Sequence, residues 1–548
     1  MKSAMDPFAI SEAFDALQSA WQHDRDACVE HCQMLQHAML SVTEEVIMRL
    51  RTDTPADSGN SETVLLQWVR NLAWSGQQYH RTLCNWMTDY IGKAPQLAPE
   101  NRSRALFWMR QIAEMLAPAN FFWANPKAVQ RFIASRGESL NQGLNNWLDD
   151  MQHNQGLVNL TDRNTFTIGT NLAASPGQVV YRNHIMELIQ YAPCTETVWK
   201  IPIVLIQPWI NKYYIFDLSA QNSFVAYLVR QGFTVFITSW KNPGADMRDI
   251  TFEDYLRHGA LQAVTVARRI CKCDAVHATG YCIGGTLLAV LLGWLEDSDP
   301  AHPIRDATFF ASLLDFSMPG DLGALIHPSA VEAISQLAGS KGVLENRHIA
   351  MAFRMLNPND LIWRYVVNNY FNGEPPPRSD MLYWNSDGTN LPAAMCTTYL
   401  KWFYLENRLT TPNALTIGGH TIDLKRVRRP LYAVGAAKDH ICPWPATFRT
   451  CAMMGHPVRY VLTDEGHITG IVNPPSPWSK KQYWAAAATR RRDAQKWLQK
   501  QTPNKGSWWP DWIAWLKPRS GNQVPPPTMG SKDYPALEPA PGTYVYEK

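Results

Sequence analysis

No stretch of this chain is apolar for long enough to cross a bilayer. The longest such runs, residues 201–206 and 287–295, fall far short of the roughly 20 residues that a spanning helix needs. The N-terminus carries Lys2, Asp6, Glu12 and Asp15 and lacks the apolar core of a secretory signal. Charge of one sign is scarce as well. The 51 Lys and Arg against 48 Asp and Glu leave a net charge of +3 over 548 residues, with no long basic stripe, which argues against nucleic acid as a partner. The local basic stretch of Lys480, Lys481, Arg490, Arg491 and Arg492 reads as a solvated helix face. The ten cysteines have no regular spacing, so no disulfide framework is expected. Cys28 and Cys32, with His31 between them, have no second pair to complete a metal site and read as i,i+4 neighbours on a buried helix face. Cys271 and Cys273 are equally isolated. No glycine-rich loop of the phosphate-cradling type is present. These absences together predict a cytoplasmic, reduced protein without a metal or a transmembrane segment.

What is present is apolar residues, 46% of the chain, enough for a sizeable core and for two or more domains. Residues 1–164 read as a mostly helical region. Phe14, Leu17, Trp21, Cys28, Cys32, Leu35 and Met39 fall near one helical face. The polar stretch 53–61 breaks the pattern as a loop, and further helical stretches follow at 64–91, 102–116 and 126–151. From about residue 165 to 548 the rhythm changes to short apolar runs alternating with helices, the signature of an α/β domain. Strands are expected at 201–206, 233–240, 275–278, 307–315, 430–435 and 458–462. A long insertion rich in Asn, Trp and Pro occupies about 316–426, where α/β-hydrolase-type proteins place a cap over the active site. The cluster Trp508, Trp509, Trp512 and Trp515 reads as packing. A proline-rich tail, about 518–548, is expected either to wrap the domain or to hang free.

The chemistry concentrates at Gly280-Tyr281-Cys282-Ile283-Gly284-Gly285, between an apolar strand and an apolar helix. Strand, Gly-x-Cys-x-Gly turn and helix make a nucleophile elbow with cysteine in the place of the usual serine. The following helix aims N–H groups and the positive end of its dipole at the sulfur, which favours thiolate. The Ile283 amide is one candidate oxyanion donor, and the loop after the 203–206 strand, near Trp209 and Ile210, is the expected source of a second. The alternative is a buried structural cysteine.

Candidate partners follow in nucleophile–acid–histidine order. Asp439 ends one late strand and His467 ends the next. Asp315 is a rival acid and His440 a rival base, although His440 adjoins its own acid on one turn. Asp464 and Glu465 read as solvated loop residues. His467 would take the thiol proton, and Asp439 would orient the imidazole or act as a base toward a second substrate. Cysteine suits acyl transfer from a thioester, because exchange of one thioester for another leaves the acyl group activated.

The same residues carry a resemblance to a known family. The elbow, the run from Pro208 to Asp217, the run from Asn357 to Trp363, Trp384-Asn385-Ser386-Asp387, Asp439-His440-Ile441-Cys442-Pro443-Trp444 and Gly466-His467-Ile468 resemble polyhydroxyalkanoate synthases from about Ala134 onward. The resemblance implies an α/β-hydrolase fold with an inserted cap, preceded by a helical N-terminal region. It implies an acyltransferase that polymerises (R)-3-hydroxyacyl-CoA, short-chain as in class I, with release of CoA. Cys282, Asp439 and His467 would be catalytic, and no cofactor beyond the CoA substrate is implied. It further implies a homodimer and an association of the N-terminal region with polyester granules and their coat. Gln207 stands where the family usually has proline, and Asp464-Glu465 where it has small residues. A cysteine thioesterase or polyester depolymerase with the same triad, and a non-catalytic granule-binding protein, remain alternatives.

Overall fold

The computed structural model describes residues 6–52, 61–299, 301–488 and 493–548. The loop expected at 53–61 lies, but for Ser61, outside the described residues, as do Arg490, Arg491 and Arg492. The chain divides into two units, one of residues 1–162 with 350–379, the other of 163–349 with 380–548. Part of the insertion expected as a cap therefore belongs to the first unit.

The first unit is helical, with α1 (Ile10–Gln22), α2 (Arg25–Thr52), α3 (Ser61–Gly92), α4 (Pro99–Met115), α5 (Pro126–Ala134) and α6 (Glu138–His153). Ala13, Leu17 and Trp21 recur every four residues along α1 and pack with Ile91 of α3 and with Ala105 and Met109 of α4. Arg102 closes the end of α3 by donating to the carbonyls of Ile91 and Ala94, each at 2.9 Å. Segment 350–379 fastens to α6 and its exit, where the Tyr370 hydroxyl donates to Asp150 at 2.8 Å and Arg354 to the Val158 carbonyl at 2.8 Å. The apolar stripe expected across 14–39 is broken between α1 and α2. Cys32 is exposed rather than on a buried face, because α2 has few buried residues, among them His31 and Val46.

The second unit is built on an eleven-stranded sheet. Its strands are β1 (Gly177–Arg182), β2 (Met186–Tyr191), β3 (Ile203–Ile206), β4 (Val235–Trp240), β5 (Val276–Tyr281), β6 (Ile304–Phe310), β7 (Leu431–Ala436), β8 (Val458–Thr463), β9 (Gln482–Ala488), β10 (Asn504–Lys505) and β11 (Glu538–Pro539). The order across the sheet is β10-β9-β8-β7-β6-β5-β3-β4-β2-β1-β11. The six strands from β4 to β8 in that order are parallel, and the flanking strands are antiparallel. The parallel strands are buried on both faces, as strands covered by helices must be. Val204 and Ile206 enter one core cluster with α7 (Gln262–Cys271) and α8 (Ile283–Ser298). Ile203 and Leu205 enter the opposite cluster with α9 (Trp509–Leu516). This strand order, with helices on both faces and α8 springing from the central strand β5, is the α/β-hydrolase fold.

One expectation changes in detail, and of the two courses expected for the tail one is seen. The strand expected through Asp315 ends at Phe310, since Ala311 takes a left-handed φ of 44° and turns the chain out of the sheet. The tail wraps the unit rather than hanging free: β11 pairs with β1, and the carbonyls of Tyr544 and Glu547 accept from Lys212 Nζ at 3.1 and 2.6 Å.

Candidate active site

Cys282 sits between β5 and α8 with φ 52° and ψ −122°, a strained conformation for a residue with a Cβ. The turn closes only because glycines flank it. A Cβ at Gly280 would lie 2.5 Å from the Gly284 carbonyl oxygen, and one at Gly284 would strike the carbonyl of Ile206. The Cys282 amide donates to the Phe310 carbonyl at 2.8 Å, which ties the elbow to β6. Cys282 as a residue is half-buried, and every residue from Ile283 to Gly293 is buried. Ile283 opens α8, so its N–H has no carbonyl inside the helix to bond.

Asp439 and His467 leave the ends of the neighbouring parallel strands β7 and β8. Lys438 N–H donates to the Glu465 carbonyl at 3.0 Å, which draws the two loops together. His467 Nδ1 meets Asp439 Oδ2 at 2.7 Å, and Oδ1 of the same carboxylate accepts from the amides of Ile441 and Cys442 at 2.9 and 2.8 Å. The ring is thereby turned so that Nε2 faces Cys282. The Sγ atoms of Cys282 and Cys442 and a ring nitrogen of His467 all lie within 4.8 Å of one another.

The electrostatics follow from that cluster. A hydrogen bond from the Cys442 thiol lowers the Cys282 pKa, burial opposes it, and the His467 charge lowers it further, to about 5. Burial disfavours charge on His467, but the Asp439 carboxylate and the Cys282 sulfur outweigh it and raise its pKa well above the ordinary value. The Cys442 thiol is pushed well above the ordinary range by its bond to Cys282 and by burial. The favoured state is a thiolate–imidazolium pair, with Cys442 protonated beside it.

The other candidates are placed as follows. Trp209 lies three residues past β3, buried, with its ring 5.0 Å from Tyr255 and 5.9 Å from Tyr399. The insertion secures this loop: Thr389 donates its hydroxyl to the Trp209 carbonyl at 2.5 Å and its N–H to the Ile210 carbonyl at 2.8 Å. The Trp384 indole likewise donates to the Lys212 carbonyl at 2.6 Å. Gln207 is fully buried, and its side-chain amide has no hydrogen-bond partner among the described residues. Asp315 is committed elsewhere, to Arg449 at 2.7 Å and to Asn407 and the Ser317 amide, each at 2.9 Å. His467, and not His440, is the imidazole against Asp439. Asp464 and Glu465 are half-buried, bonded to the Gln482 amide and paired with Lys438.

Sequence reasoning missed several contributors. Cys442 carried a signal, three residues past the acid, but nothing in its spacing reveals that its sulfur reaches Cys282. Tyr399 and Tyr404, within the insertion, lie near enough to Cys282 for its charge to add to the effect of burial on their hydroxyls. The tryptophan cluster does pack, yet it also bonds: the indoles of Trp508 and Trp509 donate to the carbonyls of Gly470 and Ile471, at 2.8 and 2.9 Å, in the loop that carries His467.

Comparison with known proteins shows the family. Residues 66–228 match the family model described as "Poly-beta-hydroxybutyrate polymerase (PhaC) N-terminus". A poly(3-hydroxyalkanoate) polymerase of Methylorubrum extorquens is 39% identical over 86% of this chain and 78% of its own. The poly(3-hydroxyalkanoate) polymerase subunit PhaC of Rhizobium meliloti is 35% identical over 96% of this chain and 86% of its own. Among solved structures, a monoacylglycerol lipase from Paleococcus ferrophilus is similar over 52% of this chain and 90% of its own, at 13% identity and a TM-score of 0.32. Identity of this level over so much of both sequences places the chain within one family of enzymes: it belongs to the poly(3-hydroxyalkanoate) polymerases.

Proposed function

We propose that Cys282, His467 and Asp439 carry out the polymerisation, with the acyl group passing through a thioester on Cys282. The observation that carries this reading is the His467 ring held between the Asp439 carboxylate, at 2.7 Å, and the sulfur of Cys282. His467 Nε2 takes the thiol proton, and the thiolate attacks the carbonyl carbon of an (R)-3-hydroxyacyl-CoA. The oxyanion forms against the Ile283 amide and an amide of the Trp209 loop. Collapse breaks the bond to the CoA sulfur, which leaves with the proton from the imidazolium. His467 then accepts the proton of an incoming 3-hydroxyl, whose oxygen attacks the acyl carbon and returns Cys282 to thiolate. Each cycle forms one ester and releases one CoA. No redox change occurs, so no cofactor beyond the CoA thioester is required.

Tyr399 and Tyr404 lie near enough to Cys282 to feel its charge, and the Trp209 ring packs 5.9 Å from that of Tyr399; such aromatic bulk near the nucleophile favours short acyl chains such as 3-hydroxybutyryl. The helical region 1–164 is the proposed granule- and dimer-forming part, and the insertion 316–426 the cap. Large apolar side chains exposed on the helical unit, including Trp68, Leu72, Trp123, Leu144 and Trp147, support a hydrophobic polymer surface, its coat or a second copy as partners. Among the described residues no helix is long and apolar enough to cross a membrane. A cytoplasmic location, free and on granules, fits these features.

The test supplies (R)-3-hydroxybutyryl-CoA and follows free CoA together with product size. Release of CoA with insoluble polyester is expected, and both should vanish in Cys282→Ala. CoA release with free 3-hydroxybutyrate alone would make the protein a thioesterase, and polymer formation by Cys282→Ala would remove the proposed nucleophile.

A further inference from the structure

Cys442 has no counterpart in a Cys–His–Asp triad, yet its sulfur lies beside the nucleophile. Two thiol sulfurs and one imidazole nitrogen within 4.8 Å of one another are a donor set for a soft divalent cation. Tetrahedral zinc, with bonds of about 2.3 Å to sulfur and about 2.0 Å to nitrogen, needs its ligands about 3.5–3.8 Å apart, inside the span observed here. The outer contact is in place too. Asp439 holds Nδ1 of His467 at 2.7 Å, the carboxylate–histidine arrangement that turns the other ring nitrogen toward a metal. Cys442 is fixed by the hydrogen bond that its backbone N–H donates to Asp439 Oδ1 at 2.8 Å.

We propose that Cys282, Cys442 and His467 form an inhibitory zinc site, with Cys442 as the ligand that makes the triad chelating. Binding ties up the sulfur that must attack the thioester, and any protons on the ligand atoms leave to solvent. The fourth position is left to water. That zinc inhibits rests on the catalytic reading of Cys282 and His467; that it binds does not.

The experiment titrates the full-length protein with Co²⁺ as a spectroscopic stand-in and Zn²⁺ as competitor, under a non-chelating reductant, in the wild type and in Cys282→Ala, Cys442→Ala and Asp439→Asn. The wild type should take up one Co²⁺ with thiolate-to-cobalt charge-transfer absorption and tetrahedral visible bands, both abolished by Zn²⁺. Cys282→Ala and Cys442→Ala should each lose one of the two thiolate ligands from that spectrum, and Asp439→Asn should bind about 10–100-fold more weakly. CoA release by the wild type should be inhibited by Zn²⁺ and restored by EDTA. Thiolate bands that survive unchanged in both cysteine variants place the metal elsewhere and overturn the site, as does their absence from the wild type. Persistent catalysis by Cys282→Ala sinks the catalytic reading and leaves the binding result standing. Zinc bound with the predicted spectrum but without inhibition overturns the inhibitory part alone.

Discussion

His467 Nδ1 and Asp439 Oδ2 lie 2.7 Å apart, and the carboxylate has little freedom to turn away, because the amides of Ile441 and Cys442 hold its other oxygen. A carboxylate anchored in this way selects the tautomer that presents Nε2 to Cys282. Asp439→Asn keeps the shape, but its amide can offer Nδ1 a donor instead of an acceptor and so favour the wrong tautomer. The expected result is a loss of about 10²–10⁴-fold in kcat for CoA release, with the fold intact by circular dichroism. A variant within a factor of a few of wild type would mean that Asp439 does not govern the base.

Cys282 is expected to be ionised where an ordinary thiol is not. Its lowered pKa means that thiolate persists as pH falls, and is lost only as pH drops through about 5; an unperturbed thiol would already be protonated below about 8.5. The His467 pKa is shifted the other way, so the imidazolium partner is present at low pH and is lost only well above the ordinary histidine value. Iodoacetamide alkylation of Cys282, followed by mass spectrometry across pH, should therefore titrate far below neutrality. Cys442→Ala and His467→Gln should each move that midpoint upward, by about 1–3 units. A midpoint near the ordinary thiol value in the wild type would exclude the thiolate–imidazolium pair.

Those two features differ in how far they could be read from the sequence. The elbow was legible because its constraints are local: Gly280 and Gly284 stand where a side chain cannot, and apolar runs on both sides mark strand and helix. The order of Cys282, Asp439 and His467 was legible because parallel strands bring their carboxyl ends to one edge, so residues just past successive strands meet. The contribution of Cys442 was not, since it depends on the path of the turn after Asp439. The distribution of 350–379 into the helical unit was hidden for the same reason: it rests on long-range bonds such as Tyr370 to Asp150, which no periodicity encodes. Cys32 misled because helical spacing gives a face but not what covers it.

The Trp508 indole N–H lies buried against the Gly470 carbonyl at 2.8 Å, in the loop that bears His467. Trp508→Phe keeps an aromatic ring in the core but leaves that carbonyl unpaired and opens a small void. A loss of about 1–3 kcal/mol in unfolding free energy is expected, read by urea titration. Because the freed carbonyl is three residues from His467, kcat should fall as well, whereas Trp512→Phe, whose indole bonds Thr308 within the sheet at 3.0 Å, should cost stability with a smaller effect on kcat. Equal effects of the two on kcat would mean that the indole bond does not position the loop.

At Gly284 the elbow helix comes close to the end of β3, and a test there separates space from helix propensity. A Cβ at Gly284 would strike the Ile206 carbonyl and come within 2.9 Å of the Gln207 carbonyl, both of them backbone and unable to rotate aside. Gly284→Ala must therefore push α8 away from β3, widening the gap between Cys282 and the loop of Trp209 in which the second oxyanion donor is proposed. The expected cost is about 1–3 kcal/mol in stability, with a fall in kcat of about tenfold or more from the lost donor geometry. Gly339, in the helix Pro328–Lys341, has nothing within 4 Å of the same position. Gly339→Ala should stabilise the protein by about 0.5–1 kcal/mol through helix propensity alone and leave kcat unchanged. If both alanines behaved alike, the close approach at Gly284 would not be what sets the elbow against β3.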